Sequence, residues 1–486
     1  VRAKTEVIIL NGRRSEVDTM GRFVGLALSF LLLLSGFSQS AAHTQEAQRT
    51  GLVFTHVTVI DATGADAKPD MTVVITGDRI TELGRSDRVR APKGAKVVDA
   101  TGKFMIPGLW DMHVHLQEAG KLALPVFIAN GITSVRDMGT AMSIINACRD
   151  AIRKGEVDGP RIKAAGYMIT SPRVWDLLTK SLGEEAMKKE ATRRISVGNP
   201  EEAHKAVAEI ARSGADFVKL HWIADKQTYF ALADEARRRG LMLVGHDPLQ
   251  GITLQEISDA GQKSIEHYDG SFASQLKKMD KKAREDLYAR FIRNGTSFVP
   301  TLLLMDIGPK LNPLADADAR LKYALDDSRG RYISDQLAYG WRGFLKVVPK
   351  FPGPELYFAA VLSLREINQA GVRIMAGTDL GVPLVYPGFS LHTELEQLVR
   401  RVAMTPMQAI QAATLRPAEF FGMQQKLGTI ERGKVADLVL LEANPLDDIK
   451  NTQKVDSVVV GGRLLTKAHL QKDLAEVEAE ASKSRR

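Results

Sequence analysis

One cysteine, Cys148, stands in a chain of 486 residues. No intrachain disulfide can form, and no thiolate-based zinc site can be built. Any metal must therefore be held by His, Asp, Glu or an unusual ligand. The leading apolar run, Phe23 to Leu34, is too short for a comfortable membrane span. Concentrated basic sequence is confined to Lys483-Ser484-Arg485-Arg486, which reads as a solvated tail. The net charge of +8 is otherwise spread along the chain and gives no support to nucleic-acid binding. Hydrophobic content of 44% and charged content of 26% are ordinary for a globular protein. The length suits one large barrel with a small accessory domain, or two or three ordinary domains.

Arg22 precedes the apolar run, and Ser35, Gly36, Ser38, Ser40, Ala41 and Ala42 follow it. Basic, apolar and small-residue zones in that order describe a secretory signal peptide over 20–42, with an uncleaved anchor as the alternative. Cleavage after Ala42 would leave no stable membrane anchor. Residues 1–19 are polar and precede Met20-Gly21-Arg22, which reads as the natural start, so 1–19 is taken as an upstream extension. The expected destination is exported, periplasmic or secreted, an oxidising setting for a chain with one unpaired thiol.

Short β-branched runs follow: Leu52 to Ile60, Thr72 to Ile75, Ile80 to Leu83 and Lys96 to Asp99. Bounded by Gly, Asp and Pro, they indicate a small antiparallel sheet over 51–106. Similar runs recur at Gly433 to Leu441 and Asp456 to Leu464, within 425–470. Each piece alone has too few strands for a stable core. A β-sandwich built from both ends of the chain is therefore expected, with 471–486 as a charged tail and His56 as a structural residue.

Between them, over 107–424, apolar strand-like runs alternate with helical stretches such as Pro200 to Ser213 and Lys226 to Arg239. Eight such runs, from Leu109–His115 to Arg373–Ala376, imply a (β/α)8 TIM-type barrel with its site where the strands end. His113 and His115 would share one face of the first strand, as two imidazoles holding one metal must. Lys219 and His221 fall near the end of the fourth strand, His246 and His267 after the fifth and sixth, and Asp379 after the eighth. For any one histidine a structural role is the simpler reading, but convergence of five of the ten on one rim points to a metal.

Pro107 to His115, Val135-Arg136-Asp137-Met138-Gly139, Val244-Gly245-His246, Ile265-Glu266-His267, Ala376-Gly377-Thr378-Asp379 and Gly428 to Leu440 together resemble the amidohydrolase superfamily. The branch they most resemble holds imidazolonepropionase-like proteins and Xaa-Pro dipeptidases, and the likeness covers nearly everything after residue 50. It implies a hydrolase of amide (C–N) bonds that works through a metal-activated hydroxide. By the family pattern His113, His115 and Asp379 bind one divalent ion, with zinc expected, and His246 and His267 a second. Lys219 falls where binuclear members carry a CO2-derived carbamate bridging both ions; the alternative is a buried lysine paired with Asp379 or Glu266. Asp379 would be both ligand and general base.

The remaining candidates concern substrate. His392 either touches it or packs a helix, and His221 contacts it or supports a ligand. Arg136 and Arg173 either anchor a substrate carboxylate or form salt bridges. The loop Tyr167 to Asp176, which usually shapes substrate recognition in this branch, lacks the Gly- and His-rich sequence often found there. The long segment Met305 to Leu356 reads as a helical lid, or as a partner surface in a homo-oligomer. The leading substrate class is a small amide: an N-acyl amino acid, or a dipeptide of prolidase-like type. A one-metal cyclic-amide hydrolase or deaminase is the second reading, and a non-catalytic binding protein on the same barrel the third.

Overall fold

The computed structural model describes residues 51–484 apart from 224, 248–250 and 269. The leader, the extension before it and residues 485–486 of the basic run lie outside the described residues. In β1 (Leu52–Val59), side chains alternate onto the core face until His56, whose φ of +58° marks a bulge. β2 (Lys68–Thr76) pairs antiparallel with β1, and β3 (Arg79–Arg85) with β2. β4 (Lys96–Asp99) lies parallel to the first half of β1, and β5 (Phe104–Pro107) parallel to its end. The expectation of a purely antiparallel sheet is thus corrected, because β1 changes its parallel neighbour across the bulge.

The chain then enters parallel strands, most of them buried along their whole length, as strands covered by helices must be. β6 (Leu109–Val114), β7 (Ile132–Asp137) and β8 (Arg161–Ala164) form one sheet. β9 (Met168–Thr170), β10 (Arg194–Ser196), β11 (Val218–Trp222), β12 (Leu243–Gly245), β13 (Ser264–Glu266) and β14 (Ser297–Val299) form another, in the order β10-β9-β11-β12-β13-β14. The run expected as an eighth strand is extended but bridges only at Ile374. Met375 N donates to Phe298 O at 2.8 Å and Met112 N to Ala376 O at 2.9 Å, which sets this run between β14 and β6.

The helices between strands follow local rules. Asn199 accepts from Glu202 N at 2.9 Å and caps Pro200–Arg212, which buries Ala203, Ala206, Val207 and Ile210. Replacing that cap by Ala should cost about 1 kcal/mol. The segment read as a loop, Tyr167 to Asp176, contains β9 and then the first turn of helix Pro172–Leu182. The long segment before the eighth run is helical, with Ile307–Leu311, Ala317–Leu325 and Asp335–Val347.

At the far end, β15 (Leu438–Leu441) pairs with β5 on one side and β16 (Val455–Val460) on the other, and β17 (Arg463–Leu465) closes the order. Both ends therefore share one eight-stranded mixed sheet. Phe54, Val57, Val73 and Ile75 pack there against Leu438 and Leu440. The expected charged tail is instead part of a helix, Lys467–Ser484, which buries Leu470, Val477 and Ala481.

Candidate metal centre and active site

β6 ends with His113, and His115 follows two residues on. Their Nε2 atoms lie 3.3 and 3.2 Å from one carboxylate oxygen, Asp379 Oδ1. Asp379 reaches them from a turn with φ +62°, an uncommon conformation for a non-glycine residue, and its N–H donates to His113 O at 2.7 Å. Close approach of the two segments requires Gly377: a Cβ there would stand 2.9 Å from His113 N and 2.7 Å from Val299 Cγ1. Burial alone would raise the Asp379 carboxyl, but His267, His115 and Lys219 around it hold it down to about 2.

Glu266 at the end of β13 orients His113. Its Oε2 accepts from His113 Nδ1 at 2.9 Å and from Arg136 Nη2 at 2.7 Å, while Ser264 Oγ donates to Oε1. A carboxylate on Nδ1 places the ring proton there and turns the Nε2 lone pair toward Asp379. Burial, then the Lys219 charge, keeps His113 well below the usual histidine range, and so neutral.

His246 and His267 follow β12 and β13. Their ring centroids are 4.7 Å apart, and that of His267 is 4.6 Å from that of His113. His267 Nδ1 lies 2.7 Å from Thr301 Oγ1, and both residues have positive φ, +66° and +45°. Gly245 is needed before His246, because a Cβ there would stand 2.0 Å from Leu220 O. Lys219, on β11, is buried and its Nζ has no hydrogen-bond partner. Among the described residues Lys219 makes no ion pair with Asp379 or Glu266, although both charges act on it at longer range. Burial pushes Lys219 down to about 8.

Four imidazoles, one carboxylate and a buried amine thus meet at the strand ends. His113 Nε2 and Lys219 Nζ are both buried without a hydrogen-bond partner among the described residues. Each such atom costs about 1–3 kcal/mol unless something satisfies it. Nitrogen and oxygen donors in this number suit a divalent ion such as zinc, so the residues present fit a metal centre.

Above the centre opens a cavity of about 580 Å³, lined by His115, Lys219, His221, His246, His267 and Asp379 at its base. Part of its wall is apolar, with Val174 and Leu178 of Pro172–Leu182 facing Phe344 and Val347 of Asp335–Val347. The segment expected as a lid therefore forms part of the wall.

Three candidates lie elsewhere. Arg136 is wholly buried, donating to Met112 O, Ser264 Oγ and Glu266 below the cavity, so it cannot anchor a substrate. Arg173 is exposed on the first turn of its helix and does not line the cavity. His392 is buried between Thr452 Oγ1 at 2.9 Å and Asn130 O at 3.1 Å, and packs its helix Phe389–Arg400. Sequence reading missed the role of Glu266, whose signal was its place beside His267. It also missed Arg193 and Arg194, because the three-residue β10 sits in a charged helical stretch.

The amidohydrolase family model matches residues 104–294 and 351–465, and this chain belongs to that family. It is similar to the ochratoxinase of Aspergillus niger, 26% identical over 420 residues that cover 74% of this chain and 75% of the relative. It is also similar to the imidazolonepropionase of Thermoplasma acidophilum, 26% identical over 401 residues, 79% of this chain and 86% of the relative. A solved Xaa-Pro dipeptidase with methionine bound in its active site shares the fold. The TM-score is 0.64 at 24% identity, covering 86% of this chain and 100% of that one. The chain is therefore a TIM-barrel-like hydrolase of the class acting on C–N bonds.

Proposed function

We propose that this chain hydrolyses the amide bond of N-acyl amino acids or dipeptides at a centre for two divalent ions. His113, His115 and Asp379 would hold one ion; His246, His267 and a carbamate on Lys219 would hold the other. The observation that carries this reading is the shared Asp379 oxygen within 3.3 Å of both His113 and His115, beside the partnerless Lys219 Nζ. When bound, such ions polarise a carbonyl and acidify water. The side chains do the rest. The Asp379 carboxylate, at the cavity base, accepts a proton from the attacking water and returns it to the leaving nitrogen. The buried Glu266–His113 pair keeps the ring from rotating, and the apolar wall takes an acyl chain or ring and excludes water from the reacting atoms.

Metal analysis with a panel of N-acyl amino acids and dipeptides tests this. About two ions per chain and activation by bicarbonate are expected if a carbamate on Lys219 helps to hold them. One ion, with cleavage only of cyclic amides or amidines, would replace this reading by the single-metal one. Export belongs to the same proposal: N-terminal sequencing of the secreted protein should begin at His43, and a mature terminus before residue 20 would refute it.

A further inference from the structure

Arg193, just before β10, and Arg194, the first residue of β10 beside β9, set two consecutive guanidiniums on the cavity wall, each with a side chain only 12% exposed. They share Glu190 of the helix Glu184–Glu190: Arg193 Nη2 donates to it at 2.6 Å and Arg194 Nε at 2.5 Å. Arg193 also lies 3.5 Å from Glu118. Arg194 is less well satisfied. Beyond Nε, its one contact among the described residues is Nη1 with His221 Nδ1, at 3.4 Å.

A guanidinium presents five N–H donors and no acceptor. Glu190 takes one of them and fixes the plane of the fork, so the Nη groups stay oriented with donors in excess. A donor facing Nδ1 leaves the His221 proton on Nε2, which adds a further N–H to this wall. The distance to the reacting centre is short. His221 and His246 ring centroids are 4.9 Å apart, and those of His246 and His267 4.7 Å. Apart from Lys219, assigned to the metal centre, five Lys and Arg side chains line the cavity against Glu118, Glu190 and Asp379, which favours anions.

We infer that Arg194, oriented by Glu190 and flanked by His221, binds a free carboxylate of the substrate and selects carboxylate-bearing amides over neutral ones. The role that Arg136 and Arg173 cannot fill thus passes to a residue of β10. The inference rests on the amide-hydrolase reading for where the scissile bond lies, but its test does not need turnover.

The probe is a non-hydrolysable ketomethylene analogue of N-octanoyl-phenylalanine, as free acid and as carboxamide, titrated calorimetrically into the metal-loaded protein. The acid should bind at least ~10-fold tighter than the carboxamide, the scale of a charge-assisted bidentate contact. In Arg194→Gln that preference should collapse to within ~2-fold. If Arg194→Gln melts early because Glu190 loses a partner, the double variant with Glu190→Gln removes both charges and should show the same collapse. Equal binding of acid and carboxamide to the wild-type protein, or a preference unchanged in these variants, would overturn the inference. An Arg194-dependent preference in a protein that hydrolyses no N-acyl amino acid or dipeptide would strike the catalytic reading and support the carboxylate subsite.

Discussion

Asp111 and Thr378, 267 residues apart in sequence, are joined by two hydrogen bonds: Thr378 Oγ1 to Oδ2 at 2.7 Å and Thr378 N to Oδ1 at 3.0 Å. His113 N also donates to Oδ1, at 3.2 Å. One carboxyl group therefore ties the strand of the paired histidines to the turn that presents Asp379. Asp111→Asn turns one of these acceptors into a donor and should loosen that turn. Metal affinity, measured by competition with a chromophoric chelator, is expected to fall about 10–100-fold, as for other groups that orient ligands. An unchanged affinity would reduce the contact to a folding role.

Asp379→Asn keeps the shape of the side chain and removes its basicity. Turnover should fall by ~10²–10⁴-fold, the range for a positioned acid–base group. A near-normal rate in steady-state assays would refute the assignment.

Glu266 and Arg136 are both fully buried and pair at 2.7 Å. Removing only one partner strands a charge in the core, so Glu266→Gln should destabilise by about 3–5 kcal/mol in urea unfolding. Glu266→Gln combined with Arg136→Met should recover much of that loss. Additive losses would show that the pair is not coupled.

Glu394 accepts from Leu302 N and Leu303 N, yet burial pushes its carboxyl up to about 8 from the ordinary 4.5. Between those values the native state holds a proton that the unfolded state has lost. This group's contribution to stability is therefore present at low pH and lost as pH rises from about 5 to about 8, with a slope approaching 1.4 kcal/mol per unit for one proton. Replacing Glu394 by Gln should remove that slope, read as unfolding free energy against pH. A slope identical in both proteins would show that Glu394 is ionised in the native state.

Strand ends were readable because their signals are local. His113 and His115 alternate on one strand, and glycines at 245 and 377 mark places where backbone crowds backbone. Most of the short parallel strands were readable as apolar runs closed by polar residues, but β9, read as a loop, and β10 were not. Orientation was not. Nothing in the sequence distinguishes Arg136, turned down onto Glu266, from Arg194, turned into the cavity, because that depends on which strand lies alongside. His392 followed a family habit and proved to be packing. The tail looked solvated because its charges outnumber its apolar residues, yet Val477 and Ala481 bury against the body of the protein.

The shared sheet sets a clock on biosynthesis. Lys103, just before β5, pairs with Asp456, 353 residues later. β5 thus has an open edge until the β15 segment has been translated. At ~5–20 residues per second, that edge stays open for about 20–70 s. Throughout that interval the nascent chain presents unpaired backbone donors and acceptors to any neighbouring strand. The yield of this protein should therefore respond to translation rate and chaperone supply, even where the finished fold is stable.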